Sequence, residues 1–260
     1  MSVSVPVRAH GDPVASLSRR DMIPFRRLVG VELSKATDTR AARWLLALVA
    51  LSTVGAMLVP VLAPTSVDQT HASYLGVIAI VVSIPLPVVA ILMLTGEWSH
   101  RSVLTTFTQE PRRLRLLNAK VVASLIVGGG GAVFGGLVTA AALGLASASG
   151  RTLEADLSAG TVVGYVLFVL LNVLAGVALG VLLHNSASAI AASFALPATC
   201  AVLGTASPLV SEWIDMATTW NAVLENDWAG HRPQIACSVA FWVGVPFAAG
   251  VRRTIRRDVT

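Results

Sequence analysis

The sequence predicts an all-α integral membrane protein with six transmembrane helices and with both termini in the cytoplasm. Hydrophobic residues make up 55% of the 260-residue chain and charged residues only 13%, about half the share of charge in an average soluble domain. Five stretches lack Asp, Glu, Lys and Arg, and each exceeds or approaches the about 20 residues that a helix needs to cross a bilayer. They are 44–67, 69–96, 121–150, 157–211 and 233–251.

The fourth stretch is long enough for two spans, and the polar run His184, Asn185 and Ser186 predicts the turn that divides it. Each span must be helical, because only a helix or a closed barrel satisfies its backbone hydrogen bonds in lipid. The predicted spans are 44–63, 73–95, 121–147, 160–183, 189–210 and 233–251.

Basic residues predict the orientation of these spans. The first 43 residues hold eight Lys and Arg, the loop 96–120 holds five, and the basic cytoplasmic tail 252–260 holds four. Only Arg151 and Arg232 fall on the other side, so seventeen of nineteen basic residues share one side, which we expect to be cytoplasmic. We expect a bacterial inner membrane as the location. The basic charge then indicates the cytoplasmic surface of a membrane-inserted protein rather than nucleic-acid binding.

The N-terminal segment contains two predicted parts. Residues 1–20 lack hydrophobic periodicity and are predicted to form a disordered tail. Residues 21–43 are predicted to form an amphipathic helix along the cytoplasmic interface, because Val29, Leu33 and Ala36 recur at helical spacing. The alternative is a basic flank that only fixes the topology.

The loop 96–120 between spans two and three is the most informative stretch. Val103, Leu104 and Phe107 lie on one helical face, and a second apolar face follows the break at Pro111. This pattern predicts two short amphipathic helices at the cytoplasmic surface.

The same loop resembles that of the ABC-2 type permeases, the membrane subunits of a class of ATP-driven exporters. Their loop commonly reads Glu, an aromatic residue, two variable residues, Gly-Thr, an apolar residue, Pro-x-Arg, and then Ala-Lys leading into the third span. The matching residues are Glu97, Trp98, Ser102 in place of Thr, Phe107, Pro111, Arg113, Ala119 and Lys120. Arg101 departs from the pattern, because it stands where the family usually has glycine.

The resemblance implies the architecture of an ABC-2 (type V exporter-like) permease, in which this loop contains a coupling helix that docks on an ATPase subunit. It implies two copies of an ABC ATPase subunit, which would bind ATP and Mg, and a second permease copy or a related permease. The alternative is that the loop's arginines only hold it in the cytoplasm. The residues expected to couple to the ATPase are Glu97, Trp98, Arg101, Phe107, Pro111, Arg112 and Arg113.

Two further patterns concern packing and the outer surface. The pairs Gly131 with Gly135 and Gly176 with Gly180 have the spacing of close helix–helix contacts; the alternative is a flexible point used in gating. Residues 212–232 are predicted to form a helix at the outer interface, with a stripe of apolar residues opposite Asp215. This helix would either anchor in the headgroup layer or help to close the exit. Its aromatic interface residues are Trp213, Trp220 and Trp228.

Several motifs are absent from the sequence. It has no Gly-x-x-x-x-Gly-Lys-Ser/Thr phosphate loop, no nucleophile motif and no obvious metal pair, so we expect no catalytic residue, metal or cofactor in this chain. The predicted spans carry no formal charge, which disfavours an ion-coupled carrier. We therefore expect an exporter subunit for an amphipathic or apolar substrate such as a drug, lipid or peptide. The alternative is a non-transporting assembly or sensor subunit.

Overall fold

The structure is a computed structural model that describes residues 23–38, 40–99 and 113–256. Within these residues the chain is helical between short turns, and six helices are long and apolar enough to cross a membrane. The predictions of an all-helical chain and of six spans are therefore confirmed, and the chain is a multi-pass membrane protein. The six spans are Ala42–Leu62, His71–Gly96, Leu114–Ala148, Ala159–Leu183, Ser186–Ala206 and Trp228–Arg256.

We number the helices in chain order, and two spans contain more than one element. Helices α3 and α4 form span two, whereas α10 and α11 form span six with a π-helical turn at Ala240–Gly244 between them. The helices are α1 (Phe25–Asp38), α2 (Arg40–Leu62), α3 (His71–Ser83), α4 (Pro85–Ser99), α5 (Arg113–Ala148), α6 (Ala159–Leu183), α7 (Ser186–Ala206), α8 (Pro208–Trp213), α9 (Met216–Leu224), α10 (Trp228–Val239) and α11 (Val245–Arg256).

Prolines account for two differences from the predicted spans, one break within a span and one earlier end. Span two is broken at Ile84, and Pro85 begins the next helix. Span five ends at Ala206 rather than at 210, because Pro208 begins α8. Both prolines occupy the first turn of a helix, where the missing N–H would have no intrahelical partner in any case.

Helix α6 lies at the centre of the bundle. Helices α3, α4, α5, α7, α9 and α11 all pack against it. It is apolar on every side. In its most apolar stretch of 18 residues, 56% is buried within the protein, compared with 6% in the corresponding stretch of span five. A helix that is hydrophobic all round is suited either to the core of a protein or to a membrane, and α6 is covered by its neighbours. Span five, by contrast, leaves most of its apolar surface for lipid.

The bundle has two ends with different contents. The end that holds α1, the turn His184–Asn185 and Arg256 is here called the terminal end, and the opposite one the distal end. The turn between spans four and five is where the sequence predicts it, since α6 ends at Leu183 and α7 begins at Ser186. His184 adopts a left-handed conformation with φ of 52°, which is a common way to end a helix.

The distal end joins the loop after span one to the loop after span three. The backbone N–H of His71 donates to the carbonyl of Glu154 at 3.1 Å, and the N–H of Glu154 donates to the carbonyl of Gln69 at 3.0 Å. Arg151 donates to the carbonyls of Pro60 and Val61 at the end of α2. These bonds satisfy carbonyls that the helix end leaves without intrahelical partners.

The prediction of one outer helix over 212–232 is wrong. The chain turns at Ile214 and Asp215, where the Asp215 carboxylate accepts a hydrogen bond from the Thr218 N–H at 3.0 Å and so caps α9. Trp220 is completely buried, so it does not anchor in a headgroup layer. Trp213 ends α8 and Trp228 begins span six, which starts five residues before its predicted limit.

Candidate functional site

Helix α1 packs along the first turns of α5 at the terminal end. Pro24 precedes α1, and its carbonyl accepts the N–H of Arg27 at 2.9 Å in the first turn. The buried face of α1 includes Leu28 and Val29, which contact Ala119 and Ala123 of α5. The small side chains of α5 allow the two helices to approach closely. An apolar contact therefore fixes α1 to the first turns of span three.

A buried ion pair lies within this contact. The Lys120 ammonium is 2.9 Å from Oε2 of Glu32, and the two residues are only 5% and 3% exposed. The other carboxylate oxygen of Glu32 binds Lys35 at 2.7 Å, and the Lys35 side chain is 44% exposed. Lys120 also lies 3.4 Å from the Met93 carbonyl. Such pairs tolerate burial only when their polar atoms have partners, as these do.

These contacts join both sides of the segment 100–112. Met93 belongs to α4, which precedes the segment, and Lys120 belongs to α5, which follows it. A further contact with the chain just before α1 comes from Arg115, near the start of α5, which donates a hydrogen bond to the carbonyl of Ile23. The two helices that carry the segment are therefore held to each other and to α1 around one ammonium group.

A second group of polar contacts continues across the terminal end. The hydroxyls of Thr95 in α4 and Ser186 in α7 are 2.7 Å apart. The His184 Nε2 is 2.9 Å from the Thr254 hydroxyl of α11, and Arg253 donates to the Leu182 carbonyl at 2.9 Å. We call the set Glu32, Lys120, Thr95, Ser186, His184 and Thr254 the terminal polar layer.

The predicted coupling residues fall at the edges of this layer or beyond it. Glu97 and Trp98 belong to the last turn of α4, and Arg113 is the first residue of α5. Arg101, Phe107, Pro111 and Arg112 lie outside the described residues, as do the tails 1–20 and 257–260. Their predicted roles stay predictions.

The predicted loop 96–120 is shorter than expected. Helix α5 begins at Arg113 and runs without interruption to Ala148. The prediction of a separate short helix after Pro111 is therefore wrong. No proline or other helix breaker lies between Leu114 and residue 121, where the third span was predicted to begin, so the helix continues through this stretch. In the described residues, the predicted helix 21–43 corresponds to α1 (Phe25–Asp38) and to the first residues of α2, which begins at Arg40.

Sequence reasoning missed Glu32, and it placed Lys120 outside span three. One signal for Glu32 was present, since this acidic residue falls between Val29 and Ala36 on the apolar face of the predicted interface helix. An acidic group on a buried face requires a cation. The sequence does not say which one, because Lys120 is 88 residues further along the chain.

The four glycines proposed for helix packing all lie where another helix or side chain approaches closely. A Cβ built on Gly176 would be 2.7 Å from the Pro87 carbonyl oxygen, and one on Gly180 would be 3.2 Å from the Leu94 Cβ. A Cβ on Gly131 would be 2.7 Å from Leu86. One on Gly135 would meet the Tyr165 hydroxyl, which donates to the Ala132 carbonyl at 2.7 Å. These contacts favour a packing role.

The fold and the terminal polar layer together define a six-span helical membrane protein in which helix α1 is joined to the bundle by a buried ion pair. In the described part of the chain, no group of three or more His, Cys, Asp and Glu residues could hold a metal ion. Comparison of the chain with protein-family models and with curated proteins finds no match.

Proposed function

We propose that this chain is the permease subunit of an ATP-driven ABC-2 exporter. The single observation that supports this most is that the segment 100–112, which carries Ser102, Phe107 and Pro111 and is flanked by the other family-like residues, begins and ends on two helices held together around Lys120. The assembly would contain two permease chains, as a homodimer or with a related subunit, and two ABC ATPase chains that bind ATP and Mg.

The mechanism follows from how the segment is attached. A push from the ATPase on residues 100–112 would reach α4 and α5 at once. Because both helices contact the same ammonium group and α1, they would move together rather than apart. The Thr95–Ser186 contact would pass the displacement to α7. Such a rigid-body movement of packed helices is an established means of alternating access.

The orientation that fits this mechanism puts the terminal end in the cytoplasm. That end carries α1 and α11 with their basic residues, which favour the cytoplasmic side. The location would be a bacterial inner membrane, with the distal end outside.

The proposed substrate is amphipathic or apolar, such as a drug, lipid or peptide. Two buried polar side chains within the spans, Thr53 and Thr139, are hydroxyls bonded to their own helix. Thr53 donates to the Val49 carbonyl at 2.7 Å, and Thr139 donates to the Gly135 carbonyl at 3.0 Å. Hydroxyls bonded in this way offer no charge to bind a charged substrate in the bilayer.

Co-purification with a candidate ABC ATPase in mild detergent tests the proposal directly. We expect the ATPase to remain bound to the wild-type chain and to the control Arg256→Ala, which removes an exposed basic residue of α11. Phe107→Ala and Arg113→Ala should reduce both binding and transport-coupled ATP hydrolysis, because they alter the proposed docking segment. If no ATPase co-purifies, and these variants leave export intact, the proposal is wrong.

A further inference from the structure

Span six carries an apolar groove on its surface near the distal end. All of its lining residues belong to this one helix, and the small ones are Ala236, Ala240 and Gly244, spaced four residues apart. All three are exposed, so no other described helix covers the groove. Arg232 and Trp228 line its distal end.

The π-helical turn at Ala240–Gly244 lies along this groove. Within the turn, Trp242 points into the bundle, where its indole N–H donates to the Ile214 carbonyl at 2.7 Å and only 3% of the residue is exposed. Ala240 and Gly244 remain on the outer surface. Turns of this kind are frequent at functional sites, because they change which residues a helix presents on each side.

The groove has one charged group at its distal end. In the described part of the chain, Arg232 forms no ion pair, and the nearby Asp227 is 3.1 Å from His231 instead. The exposed guanidinium is therefore available to an anion. Arg232 and Gly244 are twelve residues apart, which corresponds to about 18 Å of helix. One leaflet of the hydrocarbon core is about 15 Å thick, so the groove matches the depth of a single leaflet.

We propose that this groove binds a phospholipid, with the phosphate at Arg232 and an acyl chain along Ala236, Ala240 and Gly244. Arginine is suited to phosphate because its planar guanidinium presents several N–H donors. Trp228 is the kind of aromatic residue that occupies the headgroup level. The binding is independent of the proposed transport function.

A second copy of the chain is a less suitable occupant. Two copies in one membrane share an orientation, so a two-fold contact along this groove would bring each Arg232 close to its counterpart. Like charges at a contact are unfavourable. A phospholipid places a phosphate there instead, and its flexible chain fills a groove lined by small side chains.

Native mass spectrometry of the full chain, delipidated in mild detergent and titrated with phosphatidylglycerol, tests the proposal. We expect Arg232→Gln to weaken lipid retention about fivefold, which corresponds to about 1 kcal/mol for one basic residue at a membrane surface. Arg232→Lys should retain part of the affinity. Ala240→Leu should weaken retention by filling the groove. Inorganic phosphate should not displace the lipid, because it lacks the acyl chain.

Two controls accompany these variants. Arg252→Gln makes the same charge change at an exposed position of the same span, at its terminal end, and should leave retention at the wild-type level. Val245→Leu enlarges an exposed side chain outside the groove. Equal losses for Arg232→Gln and Arg252→Gln would overturn the proposal in favour of general electrostatic attraction. If Ala240→Leu dissociates a dimer without changing lipid retention, the groove is an interface between copies.

Discussion

The Glu32 carboxylate of helix α1 lies 2.9 Å from the Lys120 ammonium of span three, and both residues are almost completely buried. In the sequence, Glu32 precedes span one and Lys120 follows span two, so the pair joins segments that two spans separate. It stands beside the Met93 carbonyl, so three helices meet at one charge. This relationship connects α1 to α4 and α5, the two helices on either side of the segment that we propose to dock on an ATPase.

We expect Glu32→Gln to lower the free energy of unfolding by about 3–5 kcal/mol, because it leaves the Lys120 ammonium buried without its carboxylate. Thermal unfolding of the purified chain in detergent measures this change. Lys35→Met should cost less than about 1 kcal/mol, since that lysine is largely in solvent.

A double-mutant cycle with Glu32→Gln and Lys120→Met separates the ion pair from other contacts of each residue. We expect the double variant to lose clearly less than the sum of the single variants. Additive losses would mean that the two groups do not depend on each other.

Gly176→Ala should destabilise the chain by about 1–3 kcal/mol, the usual cost of overpacking a tight contact. Its new Cβ would be 2.7 Å from a backbone oxygen of Pro87, which cannot rotate away as a side chain can. Unfolding in detergent again provides the measurement.

Gly129→Ala is the matched control, because nothing lies within 4 Å of a Cβ at that position on α5. It should be neutral or stabilising by up to about 1 kcal/mol, the difference in helix propensity between the two residues. The same loss in both variants would argue against the close approach of α4 and α6.

Asp156 should make stability dependent on pH. Its slight burial raises the pKa of the carboxyl, but the hydrogen bond from the Ala72 N–H, together with the nearby Thr70, the Asp156 backbone and His71, outweighs that effect and lowers the pKa below its ordinary value. A lowered pKa in the folded state stabilises the chain above the ordinary pKa of about 4. The contribution disappears as the pH falls through the lowered value.

Unfolding measured from pH 7 down to about 3 tests this expectation. Asp156→Asn should be less stable than wild type at pH 7, and the difference should shrink below the carboxyl's ordinary pKa. Glu154→Gln is the control, because Glu154 contacts the loop after span one through its backbone. A difference that stays constant with pH would exclude a role for the charge.

Topology reporters test the proposed orientation. A reporter fused after Asp156, in the distal loop, should be active outside the cytoplasm, and one fused after Thr260 should be active inside. Six spans place these two positions on opposite sides. Reporters active on the same side would contradict the six-span topology.

Much of the span pattern was predictable because hydropathy is a local property. The polar run at 184–186 correctly predicted the turn between spans four and five. The prolines at 85 and 208 were equally local signals, yet the predicted limits passed over them. The sequence pattern places Asp215 on the face opposite the apolar stripe of the predicted outer helix, but in the structure Asp215 caps α9 and is buried. An N-cap and a surface carboxylate look alike in a sequence that does not reveal what covers them.

The sequence by itself determined that this chain is helical, how many times it crosses the membrane and where its basic residues concentrate. These properties follow from composition and spacing over about 20 residues. Only the tertiary structure decided that Glu32 pairs with Lys120, that Trp220 is buried and that span six presents a groove. Each of these depends on which helices become neighbours, and partners as distant in sequence as 88 residues meet only when the bundle packs.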